Sequence, residues 1–378
     1  MTKPGAHVDV MSTSAKQCSG STGTPADRDG GIVPPGAGPS QSASFPARSW
    51  TAKLGAYRKP DTARGTFELG ITAALFSIFW FLLLLSVYWH YYFAYFLLLP
   101  PAAALLVRLF AIQHDCGHAS FLPYKAANDW IGRVIGVLTL MPYDHWRRGH
   151  AVHHATCGNL DRRGIGDVDT LTVTEYLARS RWGRFRYHLY RHPAVMFGIG
   201  PIYLFLIQSR LPLGFMRKGW LPWVSTMATN AGVVIAAGLM VWATGLWPFL
   251  LVHLPIVLLA AAAGVWMFYV QHQFEHTHWA KDEGFDAHEA ALHGSSYYDL
   301  PGVLRWCTAN LGVHHVHHLA SRIPFYRLPD VLRDFPELRD FGRLSLLQSL
   351  KCVRLVLWDE AGGRLISFKE VRRNYAVA

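Results

Sequence analysis

Four long apolar runs decide most of what this chain can become. Residues 69–89, LGITAALFSIFWFLLLLSVYW, carry no charge. As a helix, that length crosses a hydrocarbon layer of about 30 Å. A second run, 92–112, follows almost at once, interrupted by Pro100, Pro101 and Arg108. Residues 223–244 and 249–271 form a second closely spaced pair. Lipid offers no partner for backbone N–H and C=O groups, so such runs are read as helices. Trp and Tyr flank each run, as interfacial anchors do. Two further stretches, 130–143 and 194–209, are too short to span, and the second contains Gly198, Gly200 and Pro201. Both are expected in the interface or packed on the protein. The expected fold is an all-α integral membrane protein of four transmembrane helices, arranged as two hairpins.

Composition agrees. Only 16% of the 378 residues are charged and 51% are hydrophobic, against about 25% charged in an ordinary soluble domain. That excludes a disordered chain, a collagen-like fibre and a disulfide-rich module. The net charge of +11 does not point to nucleic acid, because the cations flank apolar runs instead of alternating with aromatics. Neither hairpin turn, near His90 and near Gly245, carries Lys or Arg, whereas the central segment holds Arg147, Arg148, Arg162, Arg163, Arg179, Arg181, Arg184, Arg186 and Arg191 among others. The positive-inside rule then places both termini and the central segment in the cytoplasm. Arg108 is expected to snorkel to the interface. The five Cys include no CxxC pair, which suits a reducing compartment. The first twenty residues lack the apolar stretch of a signal peptide. Residues 1–60, rich in Gly, Ser and Pro, read as a disordered cytoplasmic tail. Residues 61–350 read as the membrane domain and 351–378 as a cytoplasmic C-terminal segment.

Twenty His are present, and nine of them fall into three clusters on the predicted cytoplasmic face. The first is His114-Asp115-Cys116-Gly117-His118. The second is His150-Ala151-Val152-His153-His154, and the third His314-His315-Val316-His317-His318. Spacings of i, i+3 and i+4 put imidazoles on one helical face. Imidazole is the commonest metal-binding side chain. Leaving out His315, which lies on another face, eight such nitrogens exceed the needs of one ion, so two ions held in a cytoplasmic helical cap are the expected reading. No HExxH zinc motif occurs, and only one ExxH, Glu275 to His278, so carboxylate-bridged di-iron proteins fit badly. Ligand type alone leaves nickel and copper open; a pair of redox-active irons fits the ligand count best. Asp167 and Asp169 either orient ligand imidazoles by accepting their second ring N–H, or serve a loop or helix cap.

The three clusters resemble the histidine boxes of the membrane fatty acid desaturase and hydroxylase superfamily. The likeness covers residues 70–329. The flanks WRRGHAVHHATCGNLDRRGIGDVDTLT, FYVQHQFEHTHW and NLGVHHVHHLASRIPFYRLP resemble bacterial acyl-lipid desaturases of the delta-12 or omega-6 type. The resemblance implies a further ligand upstream of the third box, at the position of His272. Members of this type often have Asp and Tyr where this chain has His276 and His278, so His276 stays an open ligand or supporting residue. His315 lies on another face of its box and is expected to be supporting. The isolated His145, His188, His192, His253, His288 and His293 are expected to be non-ligands.

The resemblance implies an enzyme that uses two iron ions, O2 and two electrons to place a cis double bond in the acyl chain of a membrane lipid. A hydroxylase or ketolase of a lipid, alkane or carotenoid is the alternative. A metal transporter is disfavoured, because transporters place ionisable ligands near the bilayer midplane. With no GxGxxG loop, CxxCH site or HPGG motif, the electrons must come from another protein. In a bacterial inner membrane that points to ferredoxin with its reductase, and the Arg-rich central segment would suit an acidic partner.

Overall fold

The structure, a computed structural model, describes residues 46–164 and 166–375. Helix α1 (Ala47–Lys53) and a 3-10 turn at Leu54–Arg58 come first. The expected disordered tail of 1–60 therefore divides. Residues 1–45 lie outside the described residues, but 46–58 are ordered. Trp50 and Leu54 are buried, and Trp50 meets Phe335 edge-on at 5.6 Å between ring centres. Local composition could not foresee a pocket supplied from nearly three hundred residues downstream.

Helix α2 (Thr62–Tyr88) starts at Asp61, whose carboxylate caps it by accepting the Arg64 N–H at 2.9 Å. Helix α3 (Tyr92–Gly117) runs through Pro100 and Pro101 without stopping. Proline removes an N–H donor, but packed neighbours tolerate it inside membrane helices. Helices α4 (Lys125–Leu138) and α5 (Tyr143–Thr156) follow. They meet closely because position 132 is Gly: a Cβ there would lie 2.3 Å from the buried Tyr143 ring. After α6 (Arg181–Tyr190), residues 195–210 form an irregular run of π, α and 3-10 turns, bent 55° from α6. Helices α7 (Leu221–Thr244) and α8 (Leu246–His272) form the second hairpin. Gly245 makes its turn at φ +84°, a conformation that favours glycine.

Four of these helices, α2, α3, α7 and α8, are long and apolar enough to cross a membrane, and they coincide with the four runs in the sequence. Both tight turns lie at one end, where the Tyr88 hydroxyl donates to the Thr244 carbonyl at 2.5 Å. The far ends of α3 and α8, bearing His114 and His272, therefore emerge together at the other end.

A cap covers that end. It includes α9 (His314–Leu319), α10 (Phe368–Asn374) and five strands of two or three residues. β1 (Leu171–Thr172) runs parallel to β4 (Leu357–Asp359), which pairs antiparallel with β5 (Arg364–Ile366). β2 (Tyr297–Asp299) and β3 (Arg343–Ser345) pair in parallel. These strands add to the helical expectation without displacing it. They also join the C-terminal segment to the body: Val356, Leu357, Ile366 and Val371 share a core with Leu171, Val173, Tyr176 and Tyr187.

Arg108 does not snorkel. It is 1% exposed and ion-paired with Glu68, with the Trp306 ring 4.1 Å from its guanidinium carbon. It also donates to Thr72 Oγ1 at 3.1 Å and to the Trp306 carbonyl. Glu68 sits nearly two turns into α2, just before its apolar run, so a counter-charge is available inside the bundle. That removes the reason to reach for water.

Candidate metal centre

Nine imidazoles meet beneath the spans in two groups. His114, His118, His150, His154 and His317 form one; His153, His272, His314 and His318 form the other. Within each group the donor atoms lie within 4.8 Å of one another. The second and third boxes are divided between the groups, while both imidazoles of the first, His114 and His118, go to one. On α5, His150 and His154 are i and i+4 and face the first group, while His153 faces the second. On α9 the assignment reverses: His314 and His318 go to the second group and His317 to the first. A residue turns through about 100° on a helix, so one HxxHH can serve two centres. The sequence had suggested one common face.

The contacts are nitrogen to nitrogen. His150 Nε2 lies 3.0 Å from that of His118 and 3.1 Å from that of His154, and His154 lies 3.1 Å from His317. In the second group, His272 Nε2 is 3.2 Å from His153 and 3.0 Å from His314, which is 3.1 Å from His318. Lone pairs facing each other at that distance repel unless a proton or cation lies between them. Bonds of roughly 2.1 Å meeting at right angles place donors about 3.0 Å apart. Burial pushes the pKa of His118, His150, His154, His314, His317 and His318 well below the ordinary imidazole value, with neighbouring imidazoles adding to the effect. Neutral, convergent imidazoles, here buried or half-buried, are the form that binds a divalent cation. The residues present therefore fit a pair of metal ions.

Supporting groups fix the rings. Asp167 hydrogen-bonds Nδ1 of His153, the contact by which a carboxylate can orient an imidazole. Gly166, at φ +80°, lets that loop pass close over α5. His272 Nδ1 faces the Gly294 carbonyl at 3.3 Å and Cys157 Sγ at 3.2 Å. Trp146 stacks on His150 at 4.7 Å. Asp115 lies 3.3 Å from His114 Nδ1 and accepts the Phe325 N–H at 2.6 Å. Sequence reasoning missed Cys157, Trp146, Asp115 and Gly294 as supports. Asp115 and Trp146 lie near box residues, but nothing in their spacing reveals the partner across the fold.

Other candidates fall elsewhere. His276 is exposed and joins neither group, because α8 ends at His272 and the i+4 relation is lost beyond it. Asp169 is also exposed; its backbone N–H meets the Tyr190 hydroxyl. His315 is fully buried, and its Nε2 bonds the Leu338 carbonyl at 2.8 Å, a structural role. Boxes two and three share both groups, which fits an even number of crossings between them, as α7 with α8 supplies.

Fold and site together define an all-α integral membrane protein with histidine clusters suited to metal. The family model for fatty acid desaturases matches residues 88–347. A fatty acid desaturase of Bacillus subtilis is 40% identical over 333 residues, 88% of this chain and 94% of that protein. A Synechocystis sn-1 acyl-lipid omega-3 desaturase (ferredoxin) is 30% identical over 58% of this chain and 61% of its own length. A Synechocystis sn-1 oleoyl-lipid 12-desaturase is 25% identical over 59% and 63%. The chain belongs to the fatty acid desaturase family, and it is an oxidoreductase.

Proposed function

We propose that the protein is a di-iron acyl-lipid desaturase that introduces a cis double bond using O2 and two electrons. The observation that carries this reading is the division of nine imidazoles into two convergent groups. His114, His118, His150, His154 and His317 would hold one iron, and His153, His272, His314 and His318 the other. The iron pair would supply the oxidising power to remove hydrogen from unactivated methylenes, which side chains alone lack. Loss of two hydrogens from adjacent carbons, with reduction of O2 to two waters, takes up two electrons and two protons. Asp167 would hold His153 in the tautomer that leaves Nε2 free, and the Gly294 carbonyl would do the same for His272.

The acyl chain would lie among the spans. An apolar cavity of about 390 Å³ is lined by Phe76, Trp80, Leu140, Met240, His253 and Val257 among others. Leu140 precedes Met141, whose carbonyl accepts from Gln113, the neighbour of His114. His253, by contrast, lies near the turn end of α8, so the cavity extends along the bundle away from the imidazoles. The site and both termini would face the cytoplasm of a bacterium from its inner membrane. An outside carrier, ferredoxin with its reductase, would bring the electrons.

Expression in a host lacking this activity tests the reading, with chromatography of its membrane fatty acids. A new species two hydrogens lighter supports desaturation. One richer by an oxygen would assign a hydroxylase instead. Asp167→Ala is expected to weaken iron binding roughly 10–100-fold, read by titrating iron into the apoprotein.

A further inference from the structure

The proposed reaction needs electrons from outside, so a carrier must dock close to the imidazoles. The Arg-rich central segment is less free for this than its sequence suggests. Arg147 and Arg163 are ion-paired with Asp129 and Glu175. Arg184 donates to two backbone carbonyls, and Arg191 is buried against Tyr269 and Gln273. The C-terminal segment offers what the centre does not. A cleft of about 460 Å³ is lined by five cations, Lys351, Arg354, Arg364, Lys369 and Arg373, against two carboxylates, Glu275 and Glu370. Arg364 takes both carboxylates, each at 3.1 Å. Among the described residues, Lys351, Arg354, Lys369 and Arg373 have no carboxylate partner.

The cleft is also wired to the metal end. Glu275 lies three residues beyond His272, at most about 11 Å along the chain. Leu355, another lining residue, accepts on its carbonyl from the Tyr269 hydroxyl at 2.9 Å and from Arg191 at 3.0 Å. Tyr269 stands on α8 three residues before His272. We propose that this basic cleft is the docking surface for a small acidic electron-carrier protein, with Arg354, Lys369 and Arg373 as its principal contacts. The inference rests on the reading of the protein as a desaturase with an external protein donor, and adds where that donor binds. Complementary charge steers such encounters, and the steering weakens as salt screens it.

The test uses full-length, iron-loaded protein in detergent, titrated with a reduced acidic [2Fe–2S] ferredoxin at low and high salt. The combined variant Arg354→Glu, Lys369→Glu and Arg373→Glu is expected to raise KM for ferredoxin about tenfold at low salt, with kcat and iron content held. The gap should narrow at high salt. Arg181→Glu with Arg186→Glu, on α6, should leave KM unchanged. If the combined variant loses iron, the three single reversals carry the test through the same KM shift. An unchanged KM, or an equal rise from the α6 pair, overturns the proposal. So does lost sedimentation with phosphatidylglycerol vesicles at unchanged KM, which would make the cleft a lipid-headgroup site. Wild-type protein that turns over with a chemical reductant but never with ferredoxin would instead defeat the reading of the donor itself.

Discussion

Alanine at His154 or at His318 is expected to reduce desaturation by more than about a hundredfold and to lower the iron bound per polypeptide. Each residue belongs to a different group of donors, yet their rings stack at 4.1 Å. Loss of either one opens a gap in one centre and removes the wall of the other. Outer partners of metal ligands commonly cost 10–100-fold, and a ligand itself should cost more. The measurement pairs fatty acid profiles with iron analysis of purified protein. His315→Ala is the comparison: it contacts the Leu338 carbonyl and neither donor group, so it should lower thermal stability while the iron content of the folded fraction holds. Full activity in a His154→Ala protein that binds less than one iron would refute the paired-metal reading.

The second large effect concerns stability. Arg108→Met leaves Glu68, 2% exposed, without its counter-ion inside the bundle. Breaking one side of a buried ion pair typically costs about 3–5 kcal/mol, because the remaining charge stays desolvated. Arg64 reaches the other Glu68 oxygen at 2.7 Å but is itself half exposed, so it compensates only in part. The expected result is a steep fall in the midpoint of thermal unfolding in detergent. The double variant Arg108→Met, Glu68→Gln should recover much of it, since no net charge is then left buried. Equal destabilisation in the single and double variants would mean that Arg108 acts through Thr72 and Trp306 alone.

The membrane helices were legible because lipid imposes a simple demand. A span must be apolar for its whole length and must pair its own backbone, and both conditions are written locally. The boxes were legible for a similar reason, since helical spacing places neighbouring imidazoles near one another. The division of the second and third boxes between two centres was not, because it depends on how α5 and α9 are rotated against α3 and α8. Only packing decides that rotation. His276 illustrates the limit: spacing from His272 carried it onto the right face, but the helix stops first. Arg108, Trp50 and Cys157 were hidden in the same way, each defined by a partner far along the chain.

The parallel pairing of β1 with β4 has a consequence for biogenesis. Residues 171–172 must wait for residues 357–358 to emerge from the ribosome before that edge can close. Both donor groups likewise wait for α9, which is translated long after α3 and α5 have entered the bilayer. Completion of both donor groups is therefore a late event, since a polypeptide that ends before α9 lacks His317 from one group and His314 and His318 from the other.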